Sequence, residues 1–254
     1  MKILFYGKTD VGRKREKNED SFLVDEKQGL FLVADGMGGH LGGEFASQMA
    51  VRTIGESLRK LAEDAEATLS AGQTERYDPG EQLKFSIRLA SQRIFREATR
   101  SPNLRGMGTT VVGLLIREKK GYIANVGDSR AYLIRGSEIH QLTVDHSLVT
   151  EQLQAGFITP AEVKNHRLKN IITRSVGFQD DVEIDLMVRD LEEGDRFLLC
   201  SDGLTNMISN EEIVKIASRS KAPNPKVVCE KLIEQANRKG GDDNVSAIFV
   251  AVSP

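Results

Sequence analysis

The apolar positions of this 254-residue chain alternate between two periods, and the switches between them delimit its elements. Short apolar runs at Ile3–Tyr6 and Phe22–Val24 flank a polar connection, Thr9 to Asp20, and Gly29 turns into a further run, Leu30–Ala34. All three read as strands. Phe45, Met49, Ile54, Leu58 and Leu61 then recur at roughly helical spacing, which predicts a long helix from Glu44 to about Asp64. A breaker-rich loop, Ser70 to Gly80, leads to a second amphipathic helix carrying Leu83, Ile87, Ala90, Ile94 and Ala98. From Thr109 the period shortens. Thr109–Ile116, Gly121–Val126, Ala131–Ile134 and Ile139–Leu142 read as one antiparallel meander.

Ser147 to Lys169 breaks that rhythm, being polar with short helical pieces. Thr159-Pro160-Ala161-Glu162 has the form of a capping box with Pro at the first helical position. Such a segment set into a meander is a candidate flap beside a site. Val182–Val188 and Arg196–Cys200 read as strands, and Ser209-Asn210-Glu211-Glu212 opens a helix reaching about Ser218. Asn224-Pro225 opens the last helix, which stops at Gly240-Gly241, and Val245–Val252 closes the chain as a strand. With no linker, repeat or low-complexity stretch, residues 1–254 read as one domain of mixed strands and helices.

Composition narrows the class of partner. Thirty-five basic residues nearly balance 37 acidic ones, for a net charge of −2, so no broad field favours nucleic acid or an anionic membrane. No apolar run reaches membrane-spanning length and the N-terminus has no signal-peptide pattern, which leads us to expect a soluble, cytoplasmic protein. Cys200 and Cys229 lie in apolar segments and read as packed thiols.

The candidate chemistry is acidic. Carboxylates recur at the edges of predicted strands beside Gly, Ser or Asn: Glu19-Asp20, Asp35, Asp128, Asp202 and Asp243. Any one of them alone reads as a solvated turn residue. Asp35, followed by Gly36, Gly38, Gly39, Gly42 and Gly43, is on its own equally a glycine-rich turn or a site where a cation or phosphate approaches backbone. Their recurrence changes the balance. Strand ends converge in a packed sheet, and several like charges meeting there stay ionised together only around a cation. Oxygen donors without a His or Cys cluster point to Mg²⁺ or Mn²⁺. His40, His140, His146 and His166 lack ligand spacing. Hard cations held by shared carboxylates suit hydrolysis at phosphorus. The run Arg13, Lys14, Arg15 and Lys17 just before Glu19 contains a candidate phosphate-gripping fork, with Arg13 and Lys17 read as solvated.

Laid out in order, these motifs resemble the metal-dependent protein phosphatase family, type 2C, in its bacterial single-domain form. The resemblance rests on Arg15-x-x-Asn18-Glu19-Asp20, Val33-Ala34-Asp35-Gly36-Met37-Gly38-Gly39-His40 and Met107-Gly108-Thr109-Thr110. It continues through Asn125-Val126-Gly127-Asp128-Ser129-Arg130, Leu142-Thr143-Val144-Asp145-His146-Ser147 and Ile172-Thr173-Arg174-Ser175-Val176-Gly177. Cys200-Ser201-Asp202-Gly203-Leu204 and Gly241-Asp242-Asp243-Asn244 complete the series, so it spans essentially the whole chain.

The resemblance implies an α+β fold, a four-layer α-β-β-α sandwich with two central antiparallel sheets, and two Mn²⁺ or Mg²⁺ ions at one edge. It implies that Asp35 bridges the ions, Asp202 and Asp243 complete one site, and Glu19 with the Gly36 carbonyl completes the other. Asp20 would hold water on the ions, Asp128 with Asp202 a weaker third ion, and Arg15 the phosphate. The implied reaction is attack by a metal-bridging hydroxide on phosphoserine or phosphothreonine in proteins, reversing a bacterial-type Ser/Thr kinase. Residues 147–169 fall where bacterial members carry a flap.

Two positions depart from the pattern. Met37 stands where some members place a proton-donating His, which leaves metal-bound water as the acid, and His166-Arg167 replaces a common His-Pro. A catalytically silent phosphoprotein-binding sensor of the same fold is the alternative, opposed by the intact acidic set. A glycine-rich nucleotide-binding module lacks its Lys-Ser/Thr. A monomer is expected.

Overall fold

A computed structural model describes residues 2–38, 42–70, 78–163, 166–218 and 224–253, of which 65–70 are described in backbone only. Strands β1 (Lys2–Asp10), β2 (Asp20–Asp25) and β3 (Leu30–Met37) precede helices α1 (Gly42–Ser70) and α2 (Pro79–Arg100). β4 (Gly108–Thr109), β5 (Val111–Arg117), β6 (Lys120–Val126), β7 (Arg130–Arg135) and β8 (Glu138–Gln141) follow. Short helices α3 (Leu148–Gln154) and α4 (Pro160–Val163) lead to β9 (Asp185–Asp190) and β10 (Arg196–Cys200). The chain ends with α5 (Asp202–Thr205), α6 (Asn210–Ala217), α7 (Pro225–Arg238) and β11 (Val245–Ser253).

Two antiparallel sheets result. One runs β1-β11-β10-β7-β8 and the other β2-β3-β5-β6-β9, with β4 extending β3. Residue alternation along β3 shows why they stack. Leu30, Leu32 and Ala34 pack with Ile54, Leu58, Ile87 and Ile94 of α1 and α2. Phe31 and Val33 point the other way, into a core shared with Phe197, Leu199, Ile248 and Val250 of the facing sheet. The outer face of that sheet, with Tyr132, Leu198 and Phe249, is covered by Ile213 of α6 and by Val228, Leu232 and Ile233 of α7. The layers are therefore helix, sheet, sheet, helix, the expected sandwich.

Several elements differ from their sequence reading. The expected single meander is split, with β5 and β6 in one sheet and β7 and β8 in the other. β6 buries both faces, Tyr122 and Ala124 against the helices and Ile123 between the sheets, so the chain must cross to supply the second layer. Gly127, at φ 104°, begins that crossing. β3 also runs past Ala34 through Asp35 and Gly36 to Met37, because Gly36 pairs with Thr109 and Met37 with Gly108. Asp35 thus lies inside a strand rather than at its end.

Helix α1 is longer than its apolar stripe, and its inner face starts with Ala46 and Ala50, both fully buried, whereas Phe45 is 40 % exposed. Small residues there let the helix lie close to the sheet. The loop expected at 70–80 falls mostly outside the described residues, with α2 already beginning at Pro79 behind an Asp78 cap. Cys200 and Cys229 are buried free thiols, as expected. Among the described residues no helix is long and apolar enough to cross a membrane.

Candidate metal centre

The register of β2 on β3 sets Asp20 directly opposite Asp35. Like charges placed across a strand pair destabilise a sheet, so this juxtaposition needs a compensating partner. The facing sheet brings more charge to the same edge. Asp202 is the first residue of α5, separated from β10 only by Ser201, and Asp243 leads into β11. Asp128 sits in the crossing from β6 to β7, and Glu19 directly precedes β2.

Backbone hydrogen bonds hold these positions. The Asp35 N–H donates to Thr110 Oγ1 at 3.0 Å, and its carbonyl accepts from Thr109 Oγ1 at 2.9 Å and from the Thr110 N–H at 2.8 Å. Thr110 Oγ1 also meets Ser129 Oγ at 2.7 Å, tying the Asp35 strand to the Asp128 loop. The Gly36 N–H donates to the Glu19 carbonyl at 3.2 Å. A Cβ on Gly36 would collide with the carbonyl of Gly43 and stand 2.6 Å from that of Glu19, so only glycine fits here. Gly43, in the first turn of α1, likewise has room for nothing larger, since a Cβ would stand 2.5 Å from Glu19 Oε2. The Glu19 carboxylate therefore rests against a helix N-terminus, where the macrodipole favours an anion.

The carboxylates raise one another's proton affinity. Burial pushes Asp35 well above the usual carboxylate range, and the charges of Asp20, Asp202, Asp128 and Asp243 add to it. Asp35 is nevertheless only half-buried by exposure, because the cluster opens to solvent at its mouth. Asp20 is raised to about 7 by burial, against the opposing pull of hydrogen bonds from Ser246 and Ser201. Asp128 is raised to about 7 by burial and by Asp202 and Asp145, and Asp202 is raised by burial and Asp243. Asp35 and Asp202 face each other closely enough that two bare carboxylates there repel unless a proton or a cation comes between them. Burial raises Glu19 as well, with Arg15 pulling it back.

Among the described residues no three acids, histidines or cysteines already form a ready-made cation cage. The donor set nevertheless fits hard cations. Asp20 Oδ2 accepts from Ser201 Oγ at 2.8 Å and Ser246 Oγ at 2.7 Å, whereas its buried Oδ1 has no partner, and neither has buried Asp128 Oδ1. Orphaned carboxylate oxygens within a crowd of acids are what a divalent ion would satisfy, and oxygen-only donors favour Mg²⁺ or Mn²⁺. Arg15 stands at the rim. Its guanidinium donates to Asp243 Oδ2 at 2.7 Å while its side chain stays 54 % exposed, leaving donors for a phosphoryl group.

Comparison with known proteins decides what this edge belongs to. Residues 11–235 match the family model described as Protein phosphatase 2C. The chain belongs to the protein phosphatase 2C family. A serine/threonine phosphatase, stp, of Listeria innocua is 39% identical over 246 residues, covering 96% of this chain and 93% of that protein. The Mycobacterium tuberculosis serine/threonine phosphatase PstP has the same fold, with a TM-score of 0.85, 32% identity and 99% of each chain covered. A structure of the PstP catalytic domain in complex with two manganese ions aligns with a TM-score of 0.84, 32% identity and 99% coverage of both chains.

In this protein phosphatase 2C the predicted site residues gather at one place: Arg15, Glu19, Asp20, Asp35, Gly36, Asp128, Asp202 and Asp243 all lie at or beside the shared edge. Arg13 is exposed, and its N–H instead ties the first loop to the Gly241 carbonyl at 2.7 Å. The Lys17 carbonyl accepts from Asn244 Nδ2 at 2.8 Å. His40 lies outside the described residues, His140 is exposed and His166 half-buried. Buried His146 takes the Gly127 N–H on Nδ1 at 3.0 Å and faces Asp185 with Nε2 at 3.2 Å, so it braces the Asp128 loop.

Asn244 is the organiser that sequence reasoning passed over. Its Oδ1 accepts the Glu19 N–H at 2.8 Å, and its Nδ2 also donates to the Val11 carbonyl at 2.9 Å. Ser201 and Ser246 were missed in the same way. Their neighbours Asp202 and Asn244 carried the only available signal, since a buried hydroxyl partner has no pattern of its own.

The segment read as a flap carries the short helices α3 and α4. Ser147 caps α3 and forms a β-bridge with Ile172. A cleft of about 620 Å³ runs between the flap and the acidic edge, lined among others by Val149, Leu153, Pro160, Asp128, Asp202 and Asn206. Lys164 and Asn165 fall outside the described residues.

Proposed function

We propose that this chain is a protein phosphatase that removes phosphate from phosphoserine and phosphothreonine in proteins, using two divalent ions, Mn²⁺ or Mg²⁺, held by the acidic edge. The family membership and the phosphatases it resembles support this reading. The single observation that carries it is the meeting of Asp20, Asp35, Asp128, Asp202 and Asp243 within mutual electrostatic reach, with Arg15 beside them.

In this reading Asp35, Asp202 and Asp243 would hold one ion, Asp35, Glu19 and the Gly36 carbonyl the other, and Asp128 with Asp202 a weaker third. When bound, such ions supply an activated water and a charge clamp on phosphoryl oxygens. The chain's own residues do the rest. Burial and mutual repulsion raise the proton affinity of these acids, so loading the cluster releases protons and binding tightens as pH rises. Asp20 stays in place through its two serine bonds, and Arg15, steadied by Asp243, turns its free donors to the phosphate. Met37 of β3, paired with Gly108 of β4, has no proton to donate, so a water at the site would supply the leaving alkoxide's proton. The substrate's flanking residues lie in the cleft under the flap. We infer that the physiological substrates are proteins modified by a Ser/Thr kinase, met in the cytoplasm by a monomeric enzyme.

The test is hydrolysis of a phosphothreonine peptide with Mn²⁺, with chelator, and by Asp35→Asn. Turnover in the first condition, falling at least a hundredfold in the other two, is expected. Equal rates in all three, or none in any, sinks the proposal and in the latter case leaves the silent sensor.

A further inference from the structure

Away from the acidic edge, a positively charged groove lies on the outer helical layer between α1 and α2. It encloses about 300 Å³ and is lined by Arg52 of α1 and by Arg93, Arg96 and Arg100 of α2, with Met49, Thr53 and a single acid, Glu97, beside them. The α2 arginines recur at spacings of three and four, which sets them on one helix face. All four are exposed, on a chain whose net charge is −2. The local excess is therefore positive against the overall sign.

Internal acids do little to neutralise it. Arg52 reaches Glu56 only at 3.9 Å and Arg100 reaches Glu97 at 3.5 Å, both as exposed pairs along a single helix. Such pairs are weak and easily exchanged. Arg93 donates to a hydroxyl, Thr53 Oγ1, at 3.5 Å, and Arg96 has no ion-pair partner among the described residues. Every cation lining the groove is an arginine. A planar fork matches phosphate oxygens two at a time, which the point charge of a lysine does not.

Position links the groove to the acidic edge. Gly43 touches Glu19, and Arg52 follows nine residues later on the same helix, about 14 Å along its axis at 1.5 Å per residue. An extended peptide covers that distance in about four to six residues.

We propose that this groove is a second anion subsite, which binds a phosphoryl group on the protein substrate a few residues from the one being hydrolysed. The enzyme would thereby favour multiply phosphorylated segments. This rests on the phosphatase reading above.

The experiment compares three substrates: a peptide with one phosphothreonine, the same peptide with a second phosphorylated residue five positions away, and p-nitrophenyl phosphate. The parent enzyme is expected to show a KM about tenfold lower for the doubly phosphorylated peptide, a preference that fades as salt rises. In Arg93→Gln/Arg96→Gln/Arg100→Gln that preference is lost, while kcat and the KM for the other two substrates stay unchanged. Should the triple variant fail to fold, Arg96→Gln carries the test with a smaller shift and Arg96→Lys restores part of it. No preference in the parent, a preference that survives in the variants, or an equal KM change for all three substrates overturns the proposal. Fluorescence anisotropy with a doubly phosphonylated, non-hydrolysable peptide reads the groove without turnover. Loss of binding in the variant supports the subsite even if no substrate is hydrolysed, and groove-dependent binding of RNA or phosphatidylglycerol vesicles in place of the peptide overturns it.

Discussion

Asp20 shows what the site costs a single residue. Its carboxylate is buried, paired through Oδ2 with two serines, orphaned at Oδ1 and set opposite Asp35. Its pKa is raised to about 7, mainly by burial, so between pH 4 and 7 the folded protein holds a proton that the unfolded chain releases. Stability from this group is thus complete at low pH and is lost as pH rises through 7. Asp20→Asn does not titrate. In metal-free protein it should melt above the parent at pH 8, by on the order of 2–4 kcal/mol, with the gap closing toward pH 5. Paired melts at the two pH values check this, and a gap independent of pH would show that Asp20 is not proton-linked. Arg15 makes a different demand. It touches Asp243 from an exposed position, so Arg15→Ala should raise the KM for a phosphopeptide about tenfold while Mn²⁺ affinity by calorimetry holds. Loss of metal instead would give Arg15 a structural role.

At the scale of elements, boundaries that depend on local chemistry were legible and those that depend on pairing were not. The Ser209 and Glu212 capping box opens α6 as its spacing predicts, with both reciprocal bonds formed. Ser209→Ala should cost about 1 kcal/mol, lowering Tm by roughly 2–4 °C, with kcat unchanged. A thermal scan beside an activity assay measures both. β3 is the contrary case. Glycine reads as a strand breaker, yet β3 continues through Gly36 because β4 arrives from residue 108 to pair with it, and no local pattern announces a partner seventy residues away. The split of the meander has the same origin, since β6 and β7 have similar strand patterns and only the need to bury both faces of β6 separates them.

At the scale of the molecule, two sheets bring carboxylates from distant segments to one edge and leave them mutually repelling. Any ion that binds only the folded form stabilises it, by about 2.7 kcal/mol at a hundredfold excess over Kd. Saturating Mn²⁺ should therefore raise Tm by roughly 5–10 °C, chelator should reverse it, and the gain should be larger at pH 8 than at pH 6 because the acids must shed protons to bind. A Tm indifferent to Mn²⁺ would separate the acidic edge from metal binding.

The sequence by itself singled out the acids that the fold brings to one edge. Acid beside glycine, serine or asparagine recurs in order along the chain, and the apolar periods place nearly every helix and strand. It also showed, through Met37, that one route for a proton is closed. What only the tertiary structure decided is who holds those residues and what faces them. The register that opposes Asp20 to Asp35, the hydroxyls of Ser201 and Ser246, the clasp of Asn244 on the Glu19 loop, and the arginine groove of α1 and α2 all join positions far apart in the chain. The physical reason is the same in each case. A side chain's type is written locally, but hydrogen bonds, repulsion between charges and close glycine contacts act through space, and space is set by packing.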